Sequence, residues 1–215
     1  NENTCTFAYR SFSIYFMKDT REYIIDESFK LFLTHSYEAV SISMISSAIG
    51  FTKGALYHHF RNKEDLFHAV IDKHLILPSI SVETENLTLK EYTDLCIEHT
   101  HKVLTSIIEK AGNVSPINYI SLIADTLRHY EVFGREQTDN IKRDVDTAEK
   151  VIGNAIQRGE IRGDINVHAV ASQYFSITIG MAGDVMMHNS LTTAVESLID
   201  SLTAQLNQLY GLLKI

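Results

Sequence analysis

Between Tyr37 and Leu66 the chain reads YEAVSISMISSAIGFTKGALYHHFRNKEDL, and the charge of its interior is one-sided. Residues 39–63 hold Lys53, Arg61 and Lys63, with His58 and His59, and no acid at all. Amines, imidazoles and hydroxyls gathered without carboxylates suit donation of hydrogen bonds and positive charge to phosphate oxygens. The remainder of the chain has the opposite character. Residues 64–215 carry 12 basic and 21 acidic side chains, a net of −9, whereas residues 1–63 carry 7 and 6, a net of +1. A phosphate-facing surface is therefore local, and the overall charge of −8 excludes a protein coated in nucleic acid.

No other grouping promises chemistry. The chain has no GxSxG, P-loop or HExxH motif, so no catalytic residue, cofactor or enzymatic activity is expected. His99 and His101 flank one threonine, but residues two apart on a helix point to different faces. With no carboxylate placed to complete a set, no metal site is expected.

The elements that must position the acid-free window are helical. Ile24, Phe29 and Phe32 recur at helical spacing from Thr20, with Glu22, Asp26 and Lys30 toward water. Ser41 can cap a short helix that Gly50 ends, and a second short helix follows from Lys53 to Phe60. Two short helices joined by a tight glycine-containing turn form a helix-turn-helix, whose second helix enters the DNA major groove. Asn62 can cap the next helix, with Glu64 and Asp65 favourable in its first turn and a stop before Pro78.

The same residues resemble the TetR-type (tetracycline-repressor-like) transcriptional regulators. The resemblance is carried by Thr20-Arg21 through Phe32, then Tyr37, Ser41, Ile45 and Gly50, and the run Thr52-Lys53-Gly54-Ala55-Leu56-Tyr57-His58-His59-Phe60 with Lys63 and Leu66. It implies roles residue by residue. Lys53 resembles a phosphate or base contact, and Gly54 a site of close approach to the groove. Tyr57 is similar to the family's phosphate-contacting tyrosine, His58 to a base-edge or phosphate contact, and His59 to a phosphate donor. Phe60 resembles a core plug, and Lys63 the lysine that grips the DNA backbone. Ser41 and Thr52 have hydroxyls to donate to phosphates. Ser36 and Met44 depart from the family, standing where a helix-ending glycine and a capping acid are usual.

Beyond Pro78, residues 79–87 read as a polar junction. Thr88 and Glu91 form a capping box opening a helix toward Gly112, and Ser115-Pro116 opens another ending near His129 or Tyr130. Further helices are expected from Arg135 to Arg158, Val167 to His188 and Thr193 to Leu213, the last opened by a Thr193–Glu196 box. No strand is expected outside the leader; the fold class is all-α. The expected domains are residues 17–63, the DNA-binding unit, and residues 64–215, a helical ligand-binding and dimerisation unit.

Val195, Ile199, Leu202, Leu206 and Leu209 are spaced as a helix-packing seam, and Val170, Tyr174, Ile177 and Met181 give the preceding helix a similar face. These faces serve either the chain's own core or, as the resemblance implies, a homodimer holding two recognition helices over a palindromic operator. The resemblance also implies a small-molecule pocket among the middle helices, for which Tyr92, Cys96, His99, Tyr119, Ile123 and Phe175 are candidates.

The composition agrees with a folded chain: 45% hydrophobic and 21% charged residues exclude disorder, and only two prolines lean it toward helix. Two cysteines, Cys5 and Cys96, are too few for a disulfide framework and point to a reducing, cytoplasmic setting. No apolar run approaches the length of a membrane span. Residues 1–16 differ in character from the rest of the chain; we read Met17 as the natural start, the alternative being an apolar arm that packs on a partner. The function expected is a dimeric, sequence-specific DNA-binding regulator, a repressor released from its operator by a small-molecule effector. The alternative is a helical interaction module or enzyme that keeps the fold without reading an operator.

Overall fold

The computed structural model describes residues 20–75, 78–111, 114–180, 188 and 190–215. Among them the secondary structure is helical: α1 over residues 20–34, α2 Ile42–Ile49, α3 Lys53–His59, α4 Lys63–His74, α5 Leu89–Ala111, α6 Pro116–His129, α7 Glu131–Gln157, α8 Val167–Gly180 and α9 Leu191–Leu213. One isolated bridge pairs Ile161 with Lys214. These residues form two units. The first holds the residues up to 75 together with Ser121–His129, and the second holds the rest. The all-α reading holds. α4, assigned from sequence to the second segment, folds with the first, because Leu66, Phe67, Val70 and Ile71 are buried there.

Local side-chain chemistry sets most helix starts. Ser41 accepts the Met44 N–H at 3.2 Å, Thr52 the Ala55 N–H at 3.2 Å and Asn62 the Asp65 N–H at 2.7 Å. Each satisfies an amide that has no partner within its own helix. Gly50 ends α2 at φ 71, a left-handed conformation that costs glycine least. Thr88 and Glu91 close the expected reciprocal box: Glu91 accepts the Thr88 N–H at 2.9 Å, and the Thr88 hydroxyl oxygen accepts the Glu91 N–H at 3.1 Å. Pro116 is the first residue of α6, as expected.

Two starts differ from the sequence reading. α7 begins at Glu131, not Arg135, with Tyr130 at the cap position but giving the helix no side-chain capping bond. α9 begins at Leu191, because Ser190 rather than Thr193 is the cap and accepts the Thr193 N–H at 3.4 Å. The end of α8 expected at His188 runs through residues outside those described.

The core of the first unit includes Ile24, Phe29 and Phe32 of α1, Ile45 and Ile49 of α2, Leu56 of α3 and Leu66, Phe67 and Val70 of α4. In the second unit α7 packs on α8, α5 on α9, α8 on α9 and α5 on α7. Tyr92, Cys96, Val151, Ile152, Tyr174, Leu202 and Leu206 fill the space between them. At its centre the Thr93 hydroxyl donates to Leu89 O at 2.7 Å and lies 2.9 Å from the Tyr174 hydroxyl, so two buried polar groups satisfy each other.

Candidate nucleic-acid interface

α2 and α3 meet through a turn that leaves little freedom. The Gly50 N–H returns to Ser46 O, and the Phe51 N–H donates to the same carbonyl at 3.1 Å. α3 is then held from beneath by Leu56, 1% exposed, and by Phe60, 3% exposed, just beyond its last residue. Every other α3 side chain points outward or sits at the edge. Lys53, Ala55, Tyr57 and His58 are exposed, Tyr57 by 53%, and His59 is half-buried. An amphipathic helix of seven residues would be marginal alone, so these two anchors and the Thr52 cap hold it in place.

The electrostatics of this face extend beyond its own sequence. The Arg21 guanidinium of α1 lies 4.9 Å from the Phe60 ring centroid, adding a cation beside α3 that the charge window did not include. Burial, with His58 and Arg21 nearby, lowers the pKa of His59 from its ordinary value. Arg61 is balanced by Asp65, whose carboxylate accepts the Arg61 N–H at 2.9 Å and lies 3.6 Å from its guanidinium. That backbone bond leads the causes that hold Asp65 below the usual carboxylate range. Lys63 is half-buried; its ammonium donates to Tyr37 O at 2.9 Å and sits 4.0 Å from the Tyr37 ring centroid.

Ser41 and Thr52 occupy cap positions through their oxygen lone pairs, which leaves each O–H directed by rotation. Thr52, Lys53, Gly54, Tyr57 and His58 thus share one exposed stretch, with His59 at its edge and Ser41 at the start of the preceding helix. Ser36, the departure from the family pattern, accepts the Ala39 and Val40 N–H groups through its carbonyl at 3.0 and 3.2 Å, and among the described residues no non-glycine has a positive φ. The chain leaves α1 by a turn that needs no glycine.

Residues 24–70, the segment that builds this arrangement, match the sequence profile described as bacterial regulatory proteins, tetR family. Over this segment the chain is similar to the tetR family of regulators. The transposon Tn10 TetC protein of Escherichia coli is 33% identical over 103 residues, 48% of this chain and 52% of TetC. The chain thus spans about half the length of that relative. The regulator UidR of Escherichia coli K12 is 24% identical over 169 residues, 77% of this chain and 81% of UidR. A solved SmeT–triclosan complex shares the fold with a TM-score of 0.53 at 19% identity, covering 87% of this chain and 91% of SmeT.

The candidate pocket residues occupy different settings. Tyr92 and Cys96 belong to the solid core of the second unit, where burial raises the Tyr92 phenol and pushes the Cys96 thiol up to about 12. His99 is partly exposed and its Nε2 lies 3.0 Å from Pro78 O. Phe175 is half-buried, and Ile123 lies in the first unit rather than the second. Tyr119 is 7% exposed, and among the described residues its hydroxyl finds no hydrogen-bond partner. Among the described residues no group of three or more His, Cys, Asp or Glu gathers to hold a metal, and no helix is long and apolar enough to cross a membrane.

The seam residues face inward. Val170, Tyr174, Val195, Leu202 and Leu206 are buried within the single chain, and Ile177, Ile199 and Leu209 pack against that core. Met181 lies outside the described residues. The stripe read from sequence as a possible contact with a second copy is filled by the chain's own packing, so a partner would meet the opposite faces. Gln173, Ser176 and Ile179 of α8 are exposed, as are Glu196, Ala204, Gln208 and Gly211 of α9.

Proposed function

We infer that this protein is a homodimeric repressor that holds a palindromic operator through two copies of α3 and leaves it when a small molecule binds the second unit. One observation carries the DNA reading: α3 buries Leu56 and the adjoining Phe60 and presents Lys53, Tyr57 and His58 to solvent. The resemblance to the family gives these residues, with Ser41, Thr52, Gly54, His59 and Lys63, their phosphate- and base-contacting roles. Occupying the operator would block polymerase, which makes repression the simplest outcome.

Dimerisation rests on the outward faces of α8 and α9. Their exposed side chains are small or uncharged apart from Glu196 and Asp200, which suits close helix approach across a two-fold axis. The effector reading rests on Tyr119. A buried hydroxyl without a protein partner is costly, and an effector carrying a hydrogen-bond acceptor would satisfy it. SmeT, which has the same fold, forms a complex with triclosan, and that supports a small-molecule effector here.

Gel-shift titration on the DNA flanking its own coding region tests the reading. A palindrome bound by two chains in a salt-sensitive manner is expected. Absence of such binding, with Tyr57→Phe and Lys63→Ala also changing nothing, overturns it.

A further inference from the structure

One buried acid in the first unit has no part in the roles assigned so far. Asp125, on the last part of α6, is 8% exposed and 88 positions away in sequence from the residue it holds. Its Oδ2 accepts the Tyr37 N–H at 2.7 Å, and its Oδ1 accepts a hydrogen bond from Arg128 Nη1 at 3.1 Å. Both carboxylate oxygens are therefore engaged, one by the backbone of the α1–α2 connection.

Tyr37 is fixed from other sides as well. Its ring stacks on His129, with centroids 4.3 Å apart, and meets Phe67 at 4.7 Å. With the Tyr37 nitrogen and ring held, its ψ torsion aims the carbonyl, and the turn in which the Ala39 and Val40 N–H groups donate to Ser36 O constrains that torsion. That carbonyl is the acceptor that holds the Lys63 ammonium at 2.9 Å, while the ring lies 4.0 Å below the same charge. Lys63 has three N–H donors, and this seat uses one. A flexible four-carbon stem is thereby held in one place with donors to offer.

We propose that Asp125 is a positioning residue for DNA binding: by anchoring Tyr37 it seats the Lys63 ammonium so that its remaining protons meet a backbone phosphate. This rests on the reading that Lys63 touches DNA. Asp125 itself touches no nucleic acid and acts through Tyr37.

Because a phosphate contact is independent of sequence, the probe is a labelled mixed-sequence duplex of about 30 base pairs, titrated with the full chain across a salt series. Asp125→Ala is expected to weaken binding roughly tenfold and to reduce the slope of log K against log salt by about 0.9, the signature of one lost phosphate contact. In a Lys63→Ala background the same substitution is expected to change neither quantity. Asp125→Asn keeps the shape and an acceptor; it should lose about threefold, again only when Lys63 is present. It serves as the second variant if Asp125→Ala does not fold.

Equal losses with and without Lys63, or a weakened affinity at an unchanged salt slope, would overturn the proposal. They would show that Asp125 supports only the fold. A wild-type chain that shows no salt-dependent binding overturns the functional reading itself, and this proposal with it.

Discussion

A methyl group placed on Gly54 would find Thr52 Oγ1 as its nearest neighbour, at an ordinary contact distance of 3.8 Å. Gly50 differs, because its φ of 71 requires glycine whatever the space around it. Nothing inside the protein explains a glycine in the first turn of α3, where alanine would favour the helix by about 1 kcal/mol. Under the proposed function the reason is an approach of backbone to DNA. Gly54→Ala should raise the melting temperature slightly while weakening operator binding about tenfold or more. Unchanged binding by the stabilised variant would place Gly54 away from the groove.

Lys53 and Tyr57 separate charge from hydrogen bonding on the same helix. Both are exposed, so neither Lys53→Ala nor Tyr57→Phe should shift thermal stability measurably. Lys53→Ala should reduce the salt slope of binding by about 0.9 if it meets a phosphate. Tyr57→Phe should leave that slope alone and cost about 1 kcal/mol, the net worth of one hydrogen bond. Fluorescence anisotropy at several salt concentrations reads both.

His59 supplies a pH test with a definite sign. Burial leads the causes that lower its folded pKa, so the unfolded chain binds the proton more readily. Its contribution is complete above the unfolded value of about 6.5 and is lost as the pH falls through the lower folded value. Calorimetric melts just above and below about pH 6.5 should show a smaller acid-side loss for His59→Gln than for the wild type. DNA phosphate beside the ring acts in the opposite direction, so binding should take up a proton in the same window. Identical acid-side losses for both proteins would rule out this role.

Leu206 and Ala204 test which face of α9 serves which purpose. Leu206 is fully buried, and Leu206→Ala should cost roughly 2–5 kcal/mol of stability. Ala204 is exposed, and Ala204→Arg should leave each chain folded while dissociating the dimer in analytical ultracentrifugation. A dimer that survives Ala204→Arg moves the interface elsewhere.

What the sequence made legible was chemistry acting over a few residues. Ser41, Asn62 and Thr88 cap their helices as their side chains dictate, and Gly50 ends α2. Where candidates competed locally, the reading slipped: Ser190 lies just far enough upstream to cap α9 before Thr193 can. The seam from Val195 to Leu209 was visible as a periodic stripe, yet a stripe says only that a face is covered, not what covers it. Contacts across the chain left no local sign. Arg21 over Phe60 and Asp125 under Tyr37 pair residues whose neighbours in sequence give no hint of each other. Helical spacing likewise showed Tyr92 and Cys96 on one face without showing that this face packs the core.

Ser121–His129 fold with the first unit, although the stretch of chain that separates them from α4 belongs to the second. The unit that carries the helix-turn-helix is therefore built from two separate stretches of chain. A hybrid joined at the end of α4 would pair the amide, ring and lysine of one parent with the α6 turn of another. Recombination between relatives would have to exchange two separate stretches at once, which favours gradual divergence of the whole chain over the swapping of its halves.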